Sequence, residues 1–137
     1  MQVGRDTAAG TLPARPSVAI GFGSPADDTG VTRLDLNDIL IKHPQATFLL
    51  RAAGDAMRDA GIDDGDLLLV DRAVTPAHGH IVIAVVDDEF VCRRLCRQAE
   101  GLQLRAGDPA RTPIAPHDEQ ALQVWGVVTR AIKTMPV

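Results

Sequence analysis

Nucleophiles are scarce in this chain of 137 residues, and their positions narrow its chemistry. Its only serines are Ser17 and Ser24, its only lysines Lys42 and Lys133, its cysteines Cys92 and Cys96, and it has no tyrosine. Attack on a carbonyl needs a hydroxyl or thiolate with a base at hand. His78 and His80 have base chemistry, yet no nucleophile stands beside them. They share a strand face, but a third metal ligand is not evident. Asp63, Asp64 and Asp66 around Gly65 imitate a cation loop; without a later bidentate glutamate they read as a solvated turn. On a strand, Cys92 and Cys96 lie roughly 13 Å apart at about 3.3 Å per residue, too far for a disulfide, which needs less than about 7 Å. They read as free thiols of a reducing compartment. Gly21-Phe22-Gly23 lacks the strand and helix that flank a nucleotide loop. No metal or other cofactor is expected.

The elements that must position these groups are short. Asp35 caps a helix through Leu36, Ile39 and Leu40 that ends before Pro44. Thr47 to Arg51 reads as a strand, and Gly54 to Met57 as a turn into a short helical piece. Gly61 to Val70 is a tight acidic turn feeding a buried strand. His80 to Val86 and Glu89 to Leu95 form a hairpin about Asp87 and Asp88. Gly101 to Ala106 and Leu122 to Ile132 supply further strands, the last with Trp125. Short strands separated by turn signals predict a mostly β body from about residue 31 to 137. Residues 1 to about 30, rich in Gly, Ala, Thr and Pro, read as a flexible N-terminal arm.

Composition excludes several roles. Hydrophobic residues make up 45% of the chain, enough for a core, but aromatics are only 3%, so base-stacking surfaces are few. The net charge is −4, and no basic run follows a phosphate backbone, so direct nucleic-acid binding is not expected. Arg93, Arg94 and Arg97 read as a solvated or partner-facing patch. No apolar run approaches the roughly 20 residues of a membrane span, and the N-terminus lacks a secretory pattern. These features predict a cytoplasmic protein.

An ordered series of segments resembles the LexA/UmuD family of self-cleaving SOS proteins, UmuD most closely. Gly21-Phe22-Gly23-Ser24-Pro25-Ala26 resembles the segment after the UmuD cleavage bond. The stretch from Asp35 to Pro44 resembles the first body segment. Ala53-Gly54-Asp55-Ala56-Met57 with Gly61 to Asp71 resembles the nucleophile block. His78 to Ala84 and Glu89 to Leu95 resemble the hairpin that carries the base, and Trp125 to Val128 the closing strand. The series covers roughly residues 18 to 133. The resemblance implies a compact β-clip type C-terminal domain, a homodimer, and an arm lying across an active site. It also implies RecA-promoted cleavage at Ile20–Gly21 and partnership with an error-prone translesion polymerase.

The resemblance assigns the nucleophile position to Ala56 and the base position to Arg93. A methyl group cannot attack a carbonyl. Arginine, with a pKa above about 12, stays protonated and cannot serve as a base. Cys92 adjoins Arg93, but strand alternation points it to the other face. Gly54-Asp55-Ala56-Met57 taken alone reads as a plain turn with core filler. Two readings remain: a catalytically inactive scaffold, or a working Ser/Lys protease whose dyad has been replaced by mutation. A LexA-type repressor is disfavoured because the first thirty or so residues are too short and irregular for a helix-turn-helix. An arginine in a lysine pocket needs a carboxylate partner or access to water.

Overall fold

The computed structural model describes residues 33–115 and 122–137, which fall into two units divided between Pro44 and Gln45. The arm expected over residues 1–30, with Ile20 and Gly21, lies outside the described residues.

In the first unit, α1 (Leu36–Leu40) starts where expected: the Asp35 carboxylate accepts a hydrogen bond from the Asn37 N–H at 3.0 Å. This satisfies one of the free donors at a helix start.

The second unit is built on one antiparallel sheet of β1 (Thr47–Arg51), β2 (Leu67–Asp71), β3 (Ile81–Val86), β4 (Glu89–Gln98), β5 (Gly101–Arg105) and β6 (Gln123–Ile132), in the order β1-β2-β6-β3-β4-β5. The mostly β expectation holds. The β3–β4 hairpin turns at Asp87 and Asp88, with φ of 50° and 66°. Two successive left-handed residues give the turn whose twist matches paired strands, and short polar side chains tolerate it.

The central strands bury both faces, which is why Leu67 to Val70 and Ile81 to Val86 are continuously apolar instead of alternating. On one face Leu68, Val70 and Ile83 pack with Met57 and Ile62 from the connection after β1. On the other, Val82, Ala84, Leu95 and Val127 pack with Leu104 of β5. The last strand, β6, lies between β2 and β3 and has an extra residue against each: Thr129 against β2 and Trp125 against β3. Such bulges increase local twist and leave polar groups off the ladder. Both are tied down, since the Thr129 hydroxyl donates to the Leu69 carbonyl at 3.3 Å and the Arg72 Nε–H to the Trp125 carbonyl at 2.8 Å.

The acidic turn departs from expectation. Asp64 accepts the Gly54 N–H at 2.7 Å, but Asp66 is buried instead of solvated. Its carboxylate accepts the Asp63 N–H at 2.8 Å and pairs with Lys133, which also reaches Asp63 at 2.9 Å. Lys133, distant in sequence from the nucleophile and base blocks, thereby ties the end of β6 to the turn before β2.

The Lys133 ammonium, followed by the Asp63 N–H, holds the Asp66 carboxyl below its ordinary pKa, while Asp66 and Asp63 raise that of Lys133. The Asp66 contribution is therefore present above the unfolded value of about 3.9 and is lost as pH falls through the lower folded value. The Lys133 contribution is present below about 10.4 and is lost as pH rises through the higher folded value. Lys133→Met is expected to move the acid unfolding midpoint to higher pH, read from Trp125 fluorescence. Equal midpoints for variant and parent would refute the clamp.

Among the described residues no helix is long and apolar enough to cross a membrane.

Candidate functional site

The connection after β1 is fixed by its backbone. Ala52 N–H donates to the Asp66 carbonyl and Gly65 N–H to the Ala52 carbonyl, both at 2.8 Å, extending the β1–β2 pairing by one step. Gly54 then turns with φ of 89°, a conformation that L side chains adopt only with strain. Met57 is buried at 4% exposure and anchors the segment; its carbonyl accepts from the Ala60 and Ile62 N–H groups. Ala56, between the turn and the anchor, is half-buried, and its carbonyl accepts the Gly107 N–H at 2.8 Å. A side chain at Gly107 would place its Cβ 2.8 Å from the Ala60 nitrogen, so the close approach of this loop requires glycine. The same loop brings Arg111 to Asp55 at 2.6 Å.

Opposite stands the first half of β4. β4 pairs with β3 over residues 89–94 but with β5 only over residues 94–98. The outer edge from Phe90 to Arg93 therefore has no strand partner among the described residues, and β1 pairs only with β2. A cavity of about 430 Å³ lies here. The β1 end from Leu50 to Gly54, then Asp55 to Met57, the β4 edge from Phe90 to Arg93, Arg111, and Ile62, Leu68 and Ile83 at its base line it. Ala56 and Arg93, far apart in sequence, thus meet in one cavity. No serine, threonine, lysine or histidine lines it among the described residues.

Arg93 is half-buried and donates to the Cys92 carbonyl at 2.8 Å. Burial first, then the like charge of Arg111, lowers its pKa. Among the described residues no carboxylate pairs with it, and no side-chain polar atom is buried without a partner. The rest of its guanidinium therefore reaches solvent, the second of the two outcomes expected of it.

Cys92 lies across from Ile83 and packs on the Met57 side, whereas Arg93 lies across from Val82 on the other face. The alternation is as expected, but the cavity reaches round the open strand edge and touches both. Burial pushes the Cys92 thiol up to about 11, so hardly any is thiolate at neutral pH. Iodoacetamide should alkylate Cys92 in the folded protein slowly up to pH about 9 and quickly only near its pKa, as peptide mapping would show. Fast labelling at pH about 7 would restore it as a candidate nucleophile. Cys92 and Cys96 are both free.

The histidines have structural partners. His78 Nδ1 accepts the Arg97 N–H at 2.9 Å, and His80 Nδ1 accepts the Ala77 N–H at 3.0 Å. Sequence reasoning missed the Arg111–Asp55 pair, for which the Gly107-Asp108-Pro109 turn signal was a weak pointer. It also missed a surface cluster in which Trp125 lies 5.3 Å from Phe48, 5.1 Å from Phe90 and 4.5 Å below Arg72.

The fold is a mostly β domain in which the hairpin edge and the turn after β1 form the walls of a groove. A family model described as Peptidase S24-like matches residues 13–129. The chain is 45% identical over 113 residues to Protein ImpA of Salmonella typhimurium, covering 82% of this chain and 76% of that one. It is 35% identical over 120 residues to Protein MucA of the same organism, covering 88% and 82%. It is 44% identical over 112 residues to Protein SamA, also of Salmonella typhimurium, covering 82% and 77%. The chain belongs to the Peptidase S24-like family, as a UmuD-like member of its LexA/UmuD group.

Proposed function

We propose that this protein is a catalytically silent UmuD-like SOS mutagenesis factor, acting in the cytoplasm as an accessory subunit or regulator of an error-prone translesion polymerase. In this reading it is a homodimer, the RecA filament is a second partner, and Ala56 and Arg93 occupy the nucleophile and base positions of a self-cleaving ancestor. Residues 1–30 form an arm, and its Ile20–Gly21 bond enters the groove of the β domain and stays intact. Function then resides in binding: the arm covers or exposes the groove, and the covered state is not consumed by cleavage. Family membership supports the SOS role. One observation carries the silent part: among the described residues the cavity where Ala56 and Arg93 meet offers no hydroxyl and no amine, and burial pushes its Cys92 thiol up to about 11.

The test is to incubate the purified protein with RecA, single-stranded DNA and a nucleotide that maintains the filament, then measure intact mass beside a self-cleaving relative. An unchanged mass with a cut control is the expected result. Loss of the residues before Gly21 would reveal a working nucleophile and end the silent reading.

A further inference from the structure

The groove wall that carries Ala56 is held from outside by a loop distant in sequence. Residues 106–113 leave the end of β5 and return to it. Leu104 N–H donates to the Ile114 carbonyl at 2.8 Å, and Ile114 N–H to the Leu104 carbonyl at 2.9 Å. Leu104 is fully buried, so the base of the loop is fixed to the core. The tip is shaped by Asp108, whose carboxylate accepts the Ala110 N–H at 2.9 Å and whose carbonyl accepts the Arg111 N–H at 3.1 Å. An aspartate that bonds the backbone two residues on mimics a backbone turn, and this turn places Arg111.

The tip meets the wall through two ties of different kind. The Gly107 N–H donates to the Ala56 carbonyl at 2.8 Å, where a Cβ would stand 2.8 Å from the Ala60 nitrogen. The Arg111 guanidinium donates to the Asp55 carboxylate at 2.6 Å, with side chains 46% and 64% exposed. The first tie is a neutral hydrogen bond. The second is an ion pair in contact with water, modest in strength and sensitive to salt. The wall between them is exposed from Ala53 to Asp55. It is fixed at its start by the Gly54 N–H bond to Asp64 and at its end by buried Met57, against whose cluster Cys92 packs.

We infer that residues 106–113 form a strap that limits how far the groove opens, with the Arg111–Asp55 pair as its latch. Breaking the pair leaves the base of the strap on β5 and frees its tip. The Ala56 wall then moves away from the β4 edge and uncovers Cys92. Asp55 and Arg111 both line the cavity, so an occupant that draws on either charge also releases the latch. The bearing on function rests on the proposed reading of this cavity as the groove that the arm covers or exposes.

The test is amide hydrogen exchange of the full chain by NMR, at about 0.05 and about 0.5 M NaCl. The parent is compared with Asp55→Asn, Arg111→Gln and the double variant. In the parent, high salt should speed exchange of the Gly107 amide about two- to fivefold, the range of an exposed ion pair. Each single variant should exchange at that faster rate already in low salt and lose the salt response, and the double variant should match the singles. The Leu104 and Ile114 amides, at the base of the strap, should keep their rates throughout. Alkylation of Cys92 by iodoacetamide at pH about 9 should rise together with Gly107 exchange. Gly107 exchange indifferent to salt and to both substitutions would overturn the latch. Equal acceleration at Leu104 and Ile114 would do the same, since it means general loosening. Faster Gly107 exchange with unchanged Cys92 alkylation would show that the loop does not control the groove. The salt response of the parent requires no variant to fold. No step involves RecA or cleavage, so failure of the strap is read separately from the intact-mass experiment.

Discussion

Ala56→Ser combined with Arg93→Lys is expected to turn an inert chain into one that cuts itself at Ile20–Gly21, while each single change leaves it intact. Ala56→Ser alone adds a hydroxyl beside a guanidinium that holds its proton. Arg93→Lys alone adds a base with no nucleophile to activate. Together they supply both groups in one cavity. The site also favours the protonation state required: burial and Arg111 already lower the pKa of the cation at position 93. The same surroundings lower that of a lysine, which raises its deprotonated fraction at any given pH. A positioned general base contributes about 10²–10⁴-fold, so the double variant should exceed either single by at least about a hundredfold. Intact mass after incubation at pH about 9, with and without RecA filaments, reads the outcome; alkaline conditions favour the neutral amine. If the double variant remains whole under both conditions, Ala56 and Arg93 are not the positions of a lost dyad. The comparison also bears on the alternative that this chain descends directly from a working protease, since rapid recovery by two changes implies that everything else in the groove was retained.

The second large effect is on stability. Gly126 sits in β6 opposite Ile83, and a Cβ there would lie 2.6 Å from Val70 Cγ1 and 3.3 Å from Arg72 Cγ. Val70 is fully buried and cannot move aside, and Arg72 is held over the Trp125 ring while bonded to its carbonyl. Gly126→Ala should therefore destabilise the protein by about 1–3 kcal/mol, the usual cost of overpacking, although alanine is the better residue for backbone entropy. Val70→Ala removes the clashing methyl groups and leaves a cavity of its own. The combination should be more stable than the sum of the two changes by at least about 0.5 kcal/mol, because the atoms are in direct contact. Urea unfolding of the four proteins measures this coupling. Strict additivity would mean that the sheet shifts locally and that the contact between β2 and β6 is softer than its close packing implies.

Much of this architecture was legible in the chain because turn chemistry acts between neighbours. Asp35 before Leu36, Gly54 before Met57 and the Asp87-Asp88 pair each mark a boundary by what their own backbone and side chains can do, and the helix, the β3–β4 hairpin and the limits of β1 and β3 followed within a residue, whereas β4 runs three residues past the expected Leu95 to Gln98. The acidic turn was misread for the same reason inverted. Nothing near Asp66 announces Lys133, which lies 67 residues away and reaches it only because β6 pairs with β2. Arg111 and Asp55 are 56 residues apart and meet only because the loop after β5 folds back onto the segment after β1.

The sequence alone determined the element types, the mostly β class, the absence of serine and lysine from the nucleophile and base blocks and the absence of tyrosine from the chain, since composition and local periodicity depend on no distant partner. Tertiary structure alone decided that the last strand inserts between β2 and β3, that Trp125 bulges into contact with Phe48, Phe90 and Arg72, and that a second arginine, Arg111, lines the same cavity as Arg93. Those outcomes come from the burial of apolar faces contributed by segments far apart in the chain. The hydrophobic effect that drives it is non-directional: it requires that the faces be covered, and only the packed whole settles which segment covers which.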